Sequence, residues 1–197
     1  YGTFFTAAFE AAVELSQSGQ KLALVPVNID YSHVREDKEM LYSASRHPRT
    51  LHVLDSLKML SHLGNIYVSI GDPVVPDSEQ WNRKTLAARL HQDCLNLIKV
   101  LPVNVISWAI YTLRQQSIID NERLYREIEK NIEHLAPYQE RFRNFNTQSR
   151  GKELYQELVQ KRKEFNRWSE ENENLSKFFK LYRDYIGPLI NQESYSG

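Results

Sequence analysis

The sequence predicts an α/β layer domain followed by a mainly helical C-terminal region, and three observations carry that prediction. Short β-type runs alternate with helical runs through about Ile70. Both β-type runs, Lys21–Tyr31 and Asn65–Ile70, are nearly continuous in apolar residues, as in strands buried within a layered sheet. From Ser78 onward no strand pattern recurs, and amphipathic helical spacing takes over.

The first element is a helix, because Phe4, Phe5, Ala8, Ala12 and Leu15 recur at helical spacing. Gly19 closes it in the manner of a C′ glycine. The chain opens inside this apolar pattern at Tyr1 with neither Met nor a helix start signal, which reads as a truncated beginning. Lys21–Tyr31 (KLALVPVNIDY) is the first strand, and Pro26 confines it to an edge, a bulge or a strand end. Leu54, Leu57, Met59, Leu60 and Leu63 then mark a helical stripe within Leu51–Leu63. Gly64 breaks that helix, and Asn65–Ile70 forms a second strand with Ile66, Val68 and Ile70 alternating along it. Gly71-Asp72-Pro73 is a turn.

The remaining signals are helical. Asp77-Ser78-Glu79 supplies an N-cap and an acidic first turn for a helix reaching Val100. Pro102 restarts a helix, and Asp120 caps a third whose buried face carries Leu124, Ile128 and Leu135. Pro137 ends or kinks it. Leu154, Leu158, Phe165 and Trp168 form one stripe of the charged tail. Leu175, Phe178, Phe179, Tyr182 and Ile186 form another, which Gly187-Pro188 stops. The stripes hold no strict seven-residue repeat, so antiparallel helix packing is expected in place of a coiled coil. The organisation expected is 1–77 for the α/β part, 78–147 for a helical extension and 148–197 for a charged amphipathic tail.

Composition narrows the function classes. Twenty-five basic and 25 acidic residues give zero formal net charge, so the balance does not point to nucleic acid. The run Lys161-Arg162-Lys163 is interleaved with Glu157 and Glu164, the pattern of a solvated helix face. Cys94 is the one cysteine and sits in an apolar-periodic run, which reads as a structural thiol. No apolar run is long enough to span a bilayer, and Val100–Leu113 reads as a buried core helix ahead of an interfacial segment.

Catalytic patterns are missing from the sequence itself. No two of the six histidines stand four apart, so no helical metal pair arises. No nucleophile elbow, dinucleotide fingerprint or phosphate-binding loop is found either. No metal and no tightly held cofactor is expected.

Two blocks nevertheless carry a resemblance. Leu24-Val25-Pro26-Val27-Asn28-Ile29-Asp30-Tyr31 resembles the strand block of the glycerol-3-phosphate and dihydroxyacetone-phosphate acyltransferases, where Val-Pro-Ile/Val precedes a Tyr. Gly64–Val74, with Gly71-Asp72-Pro73-Val74, resembles the second strand of the same family, and Leu51–Leu63 occupies the corresponding helical place between them. Val103–Leu113 is similar to the segment after the second block, so the likeness spans roughly Gly2–Leu135. Ser32-His33 departs from the family pattern, which has an acidic and then a basic residue there.

The resemblance implies a partial acyltransferase-type α/β domain. Acyl-CoA or acyl carrier protein would be the co-substrate, and glycerol-3-phosphate or dihydroxyacetone phosphate the phosphate-bearing acceptor. It also implies that Pro26, Val27 and Tyr31 line the acyl-chain site. The family's catalytic His and Asp are separated by four residues. The residues five places after the six histidines are Lys38, His52, Leu57, Tyr67, Asn96 and Gln139, so the dyad does not occur in this chain and no catalytic residue is assigned. The family places the dyad and its phosphate-gripping loops before the Val-Pro block, hence upstream of Tyr1, and the fragment is expected to be inactive alone. Peripheral contact with the cytoplasmic face of a membrane follows from the resemblance as well. The competing expectation is a non-enzymatic helical interaction or regulatory module, motivated by the aromatic-striped tail Gln148–Ile186 and the missing dyad.

Overall fold

The computed structural model describes residues 6–34, 64–76, 81–114, 120–170 and 172–191. The helix expected at Leu51–Leu63 and the cap expected at Asp77-Ser78-Glu79 lie outside them. Among the described residues the protein is mainly helical, with a small two-stranded antiparallel sheet, in keeping with a mixed α/β class. Two compact units are formed, Tyr1–Asp30 with Tyr67–Ile98 and Tyr31–Ile66 with Lys99–Gly197.

The first unit begins with α1 (Thr6–Gln17), ended by Gly19 at φ +85°. The Gln20 N–H reaches back to the Leu15 carbonyl at 3.1 Å, satisfying one of the helix's last acceptors as the glycine signal predicts. Strand β1 (Val27–Tyr31) pairs with β2 (Ile66–Ile70), and Leu24 forms a bridge with Val74 beyond the strand end. Strand β1 is thus shorter than the expected Lys21–Tyr31, because Pro26 has no N–H to extend the ladder. Helix α2 (Arg83–Asn96) starts at an Asn82 cap rather than at the acidic run before it. The Asn82 Oδ1 accepts the Lys84 and Thr85 N–H groups at 2.9 and 3.1 Å, and Thr85 Oγ1 accepts the Asn82 N–H at 3.0 Å.

Sheet register decides which side chains are covered. The Gly71 N–H donates to the Pro26 carbonyl at 2.9 Å, and the Ser32 N–H donates to the Asn65 carbonyl at 3.0 Å. Those two bonds set Val27 opposite Ile70 and Ile29 opposite Val68, on one face. That face is exposed: Val27 at 47%, Ile29 at 42%, Val68 at 59% and Ile70 at 69%. The other face turns Asp30 and Ser69 inward, and Asn28 Nδ2 donates to the Asp30 carboxylate at 2.7 Å. Beside it, Leu24 and Val74 pack on the small core of Ala12, Leu86 and Leu90 from α1 and α2. The apolar strands therefore do not sit between two helical layers among the described residues. Their alternation segregates the branched side chains to one exposed face, while Leu24 and Val74 beyond the strand ends meet α1 and α2.

The second unit is built around α3 (Pro102–Leu113), where Pro102 occupies the first turn as expected. Val103, Val105, Ile106, Ala109, Ile110 and Leu113 are each no more than 2% exposed, so this is a core helix. Helix α4 (Asn121–His134) is capped by Asp120, whose carboxylate accepts the Arg123 N–H at 2.6 Å. Its apolar residues Leu124, Ile128 and Ile132 are buried. It ends before Pro137, which lies in a 3-10 segment, Ala136–Arg141. Helices α5 (Gly151–Lys161) and α6 (Glu173–Tyr185) pack on α3, and α5 also packs on α4.

The tail departs from its expected form at two places. Leu154 to Trp168 is not one helix: α5 stops at Lys161, Arg162 takes φ −142°, and a separate 3-10 turn holds Lys163–Arg167. Gly187-Pro188 does follow the end of α6 at Tyr185, but Pro188 then sits in the first turn of a separate short helix, α7 (Gly187–Ile190). Asn104 ties this unit together. Its Oδ1 accepts the Leu101 N–H at 2.8 Å, and its Nδ2 donates to the Tyr182 carbonyl at 2.9 Å. Tyr155 donates to the Phe165 carbonyl at 3.0 Å, and burial pushes its phenol up to about 12, which keeps it a donor.

Candidate functional site

The two motif blocks meet at Pro26 and Gly71. Pro26 is buried immediately before β1, and Gly71 follows the end of β2. A Cβ on Gly71 would lie 2.8 Å from the Pro26 Cγ and 3.3 Å from the Leu97 Cδ1. Gly71 is therefore more than a turn residue, since the proline ring occupies the space a side chain would need. Its N–H also supplies the ladder bond to the Pro26 carbonyl.

Of the residues assigned to the acyl site by resemblance, Val27 and Tyr31 stand at the two ends of β1 on its odd-numbered side. Val27 is exposed and Tyr31 half-buried, whereas the Pro26 ring is turned toward Gly71. The arrangement offers an open apolar strand face beside a proline-sealed edge, and not an enclosed channel. A cleft of about 90 Å³ lies elsewhere, in the helical unit, among Ser32, Asn65, Pro102, Asn144, Leu158 and Lys161. It is large enough for a few waters, and none of Pro26, Val27 or Tyr31 lines it.

Cys94 is half-buried, and burial pushes its thiol up while a backbone hydrogen bond with Val27 pulls in the opposite direction. His91 lies on α2, and His134 at the end of α4 meets the Trp108 ring edge-on at 5.4 Å. His47, His52 and His62 lie outside the described residues. Among the described residues no group of three His, Cys, Asp or Glu could hold a metal ion, and no helix is long and apolar enough to cross a membrane.

One buried polar group was not legible in the sequence. Lys161 fits the solvated face expected of its run, with 68% side-chain exposure and Glu157 at 2.7 Å. Arg162 contradicts that expectation, being 6% exposed. The chain leaves helical geometry at this residue, so the side chain turns inward instead of continuing the charged face. The aromatic stripe at Phe165, Phe178 and Tyr182 was the available signal, because buried guanidinium groups seek ring faces.

Comparison with protein-family models, curated proteins and solved structures gives no match to the chain.

Proposed function

We propose that this chain is part of an O-acyltransferase that moves a fatty acyl group from acyl-CoA or acyl carrier protein to glycerol-3-phosphate or dihydroxyacetone phosphate in phospholipid synthesis. The observation that carries the reading is the direct pairing of the two blocks that resemble that family. The Val-Pro block and the Gly-Asp-Pro block are hydrogen-bonded neighbours, and the proline of one fills the space above the glycine of the other.

On this reading the catalytic His–Asp dyad belongs to a longer polypeptide, N-terminal to Tyr1. There the Asp orients the His, and the His removes a proton from the acceptor hydroxyl as it attacks the thioester. This chain contributes acyl-chain contact through Pro26, Val27 and Tyr31. Each methylene laid on such a surface contributes about 0.8 kcal/mol. Peripheral contact with the cytoplasmic face of a membrane belongs to the same proposal, since the acylated product partitions toward lipid.

A photoreactive acyl-CoA analogue tests the assignment of β1. Labelling is expected to map to the peptide containing Val27 and Tyr31, and Val27→Asp is expected to lower it about fivefold or more by placing a charge against the chain. Labelling spread evenly over the protein, or unchanged in Val27→Asp, would contradict the assignment.

A further inference from the structure

Beyond the end of the ladder, the backbone of the segment leaving β1 is held by the C-terminal helices. On this segment the Ser32 N–H donates to the Asn65 carbonyl at 3.0 Å. The next free backbone groups find their partners on side chains of the tail. Val34 N–H donates to the Tyr182 hydroxyl at 2.9 Å, and Arg162 Nη1 donates to the Ser32 carbonyl at 3.3 Å. Arg162 Nη1 also donates to the Tyr182 hydroxyl at 2.8 Å, which joins the two contacts into one unit.

The unit is buried and stacked. Tyr182 is fully buried and Arg162 nearly so. The guanidinium lies over the rings of Phe165, Phe178 and Tyr182, at 5.5, 5.3 and 5.1 Å from their centroids. Those faces replace part of the hydration that a cation loses on burial. A planar guanidinium can meet a carbonyl and a hydroxyl at once while stacked, which an ammonium on a flexible stem does not reproduce. Both partners come from beyond Gln148, so the tail and Ser32–Val34 are tied directly.

We propose that Arg162 and Tyr182 form a latch through which the C-terminal helices fix the conformation of the segment leaving β1. The tail is then a positioning element for that segment and not a freestanding interaction module. The latch does not rest on acyl transfer, and it can be read without turnover.

Amide hydrogen exchange on the whole chain tests it. Tyr182→Phe keeps every ring contact and removes the hydroxyl that accepts from Val34. The Val34 amide is expected to exchange about tenfold faster, the factor of one buried hydrogen bond, while buried amides of α3 and α4 shift much less. Arg162→Lys is expected to accelerate the same amide by a smaller factor. Val34 exchange that is unchanged, or that rises only in step with α3 and α4, would overturn the latch. Loss of protection throughout α3 and α4 in both variants would overturn it too, reducing the pair to a part of the core.

Discussion

Gly151→Ala is expected to destabilise the helical unit by about 3 kcal/mol, the upper part of the range for overpacking a close contact. Gly151 opens α5 where that helix crosses α4. A Cβ at this position would collide with the Tyr125 carbonyl oxygen, and it would stand 2.9 Å from the carbonyl carbon and 3.1 Å from Tyr125 Cα. Because the obstacle is backbone, no rotamer change relieves it. The two helices would have to separate, which also disturbs the Tyr125–Tyr155 ring pair at 5.8 Å and the Gly151 N–H bond to Glu129 at 2.9 Å. Thermal denaturation should show the midpoint falling by about 6–12 °C for a chain of this size. Lys152→Ala, at the neighbouring exposed position, should leave it nearly unchanged.

Phe178→Ala is expected to cost about 4 kcal/mol. Its ring is fully buried and makes edge-to-face contacts with Phe165 at 5.6 Å, Phe179 at 5.2 Å and Tyr182 at 5.5 Å. Removing it leaves a void at the centre of the cluster and takes away one of the three faces over which Arg162 lies. The loss therefore combines cavity formation with reduced support for a buried cation. Phe178→Leu should recover more than half of the stability by refilling the space, without restoring the ring face. Urea denaturation of the two variants beside the parent chain measures both terms.

Legibility in the sequence followed the range of the interaction. Gly19, Pro102 and Asp120 marked helix ends correctly, because caps and terminal turns act over three or four residues. Pro26 limited the strand to an edge, a bulge or an end, and the structure places it just before the strand begins. The cap at Asn82 was overlooked because Asp77-Ser78-Glu79 offers the more conspicuous pattern of charge, while Asn82 and Thr85 form the actual reciprocal pair. Strand direction and cover could not be read locally. Alternation placed Ile66, Val68 and Ile70 on one face, but it could not say that this face would be left exposed. Arg162 was misread for a related reason. A Lys-Arg-Lys run implies solvent only while the helix continues, and α5 ends within that run. The proposed assignment of Pro26, Val27 and Tyr31 to an acyl site rests on family resemblance alone, since apolar and aromatic residues in a strand carry no chemistry of their own.

The central claim is that these paired blocks belong to an acyltransferase. Its most direct test is transfer of a labelled fatty acyl group from acyl-CoA or acyl carrier protein by the polypeptide as its gene encodes it. Glycerol-3-phosphate and dihydroxyacetone phosphate should be offered as acceptors. The account predicts a labelled ester on one of these acceptors, abolished by replacing the His of an upstream His-x-x-x-x-Asp motif, and no transfer by Tyr1–Gly197 alone. Turnover by Tyr1–Gly197 alone, or a gene product that transfers no acyl group to either acceptor, would contradict it.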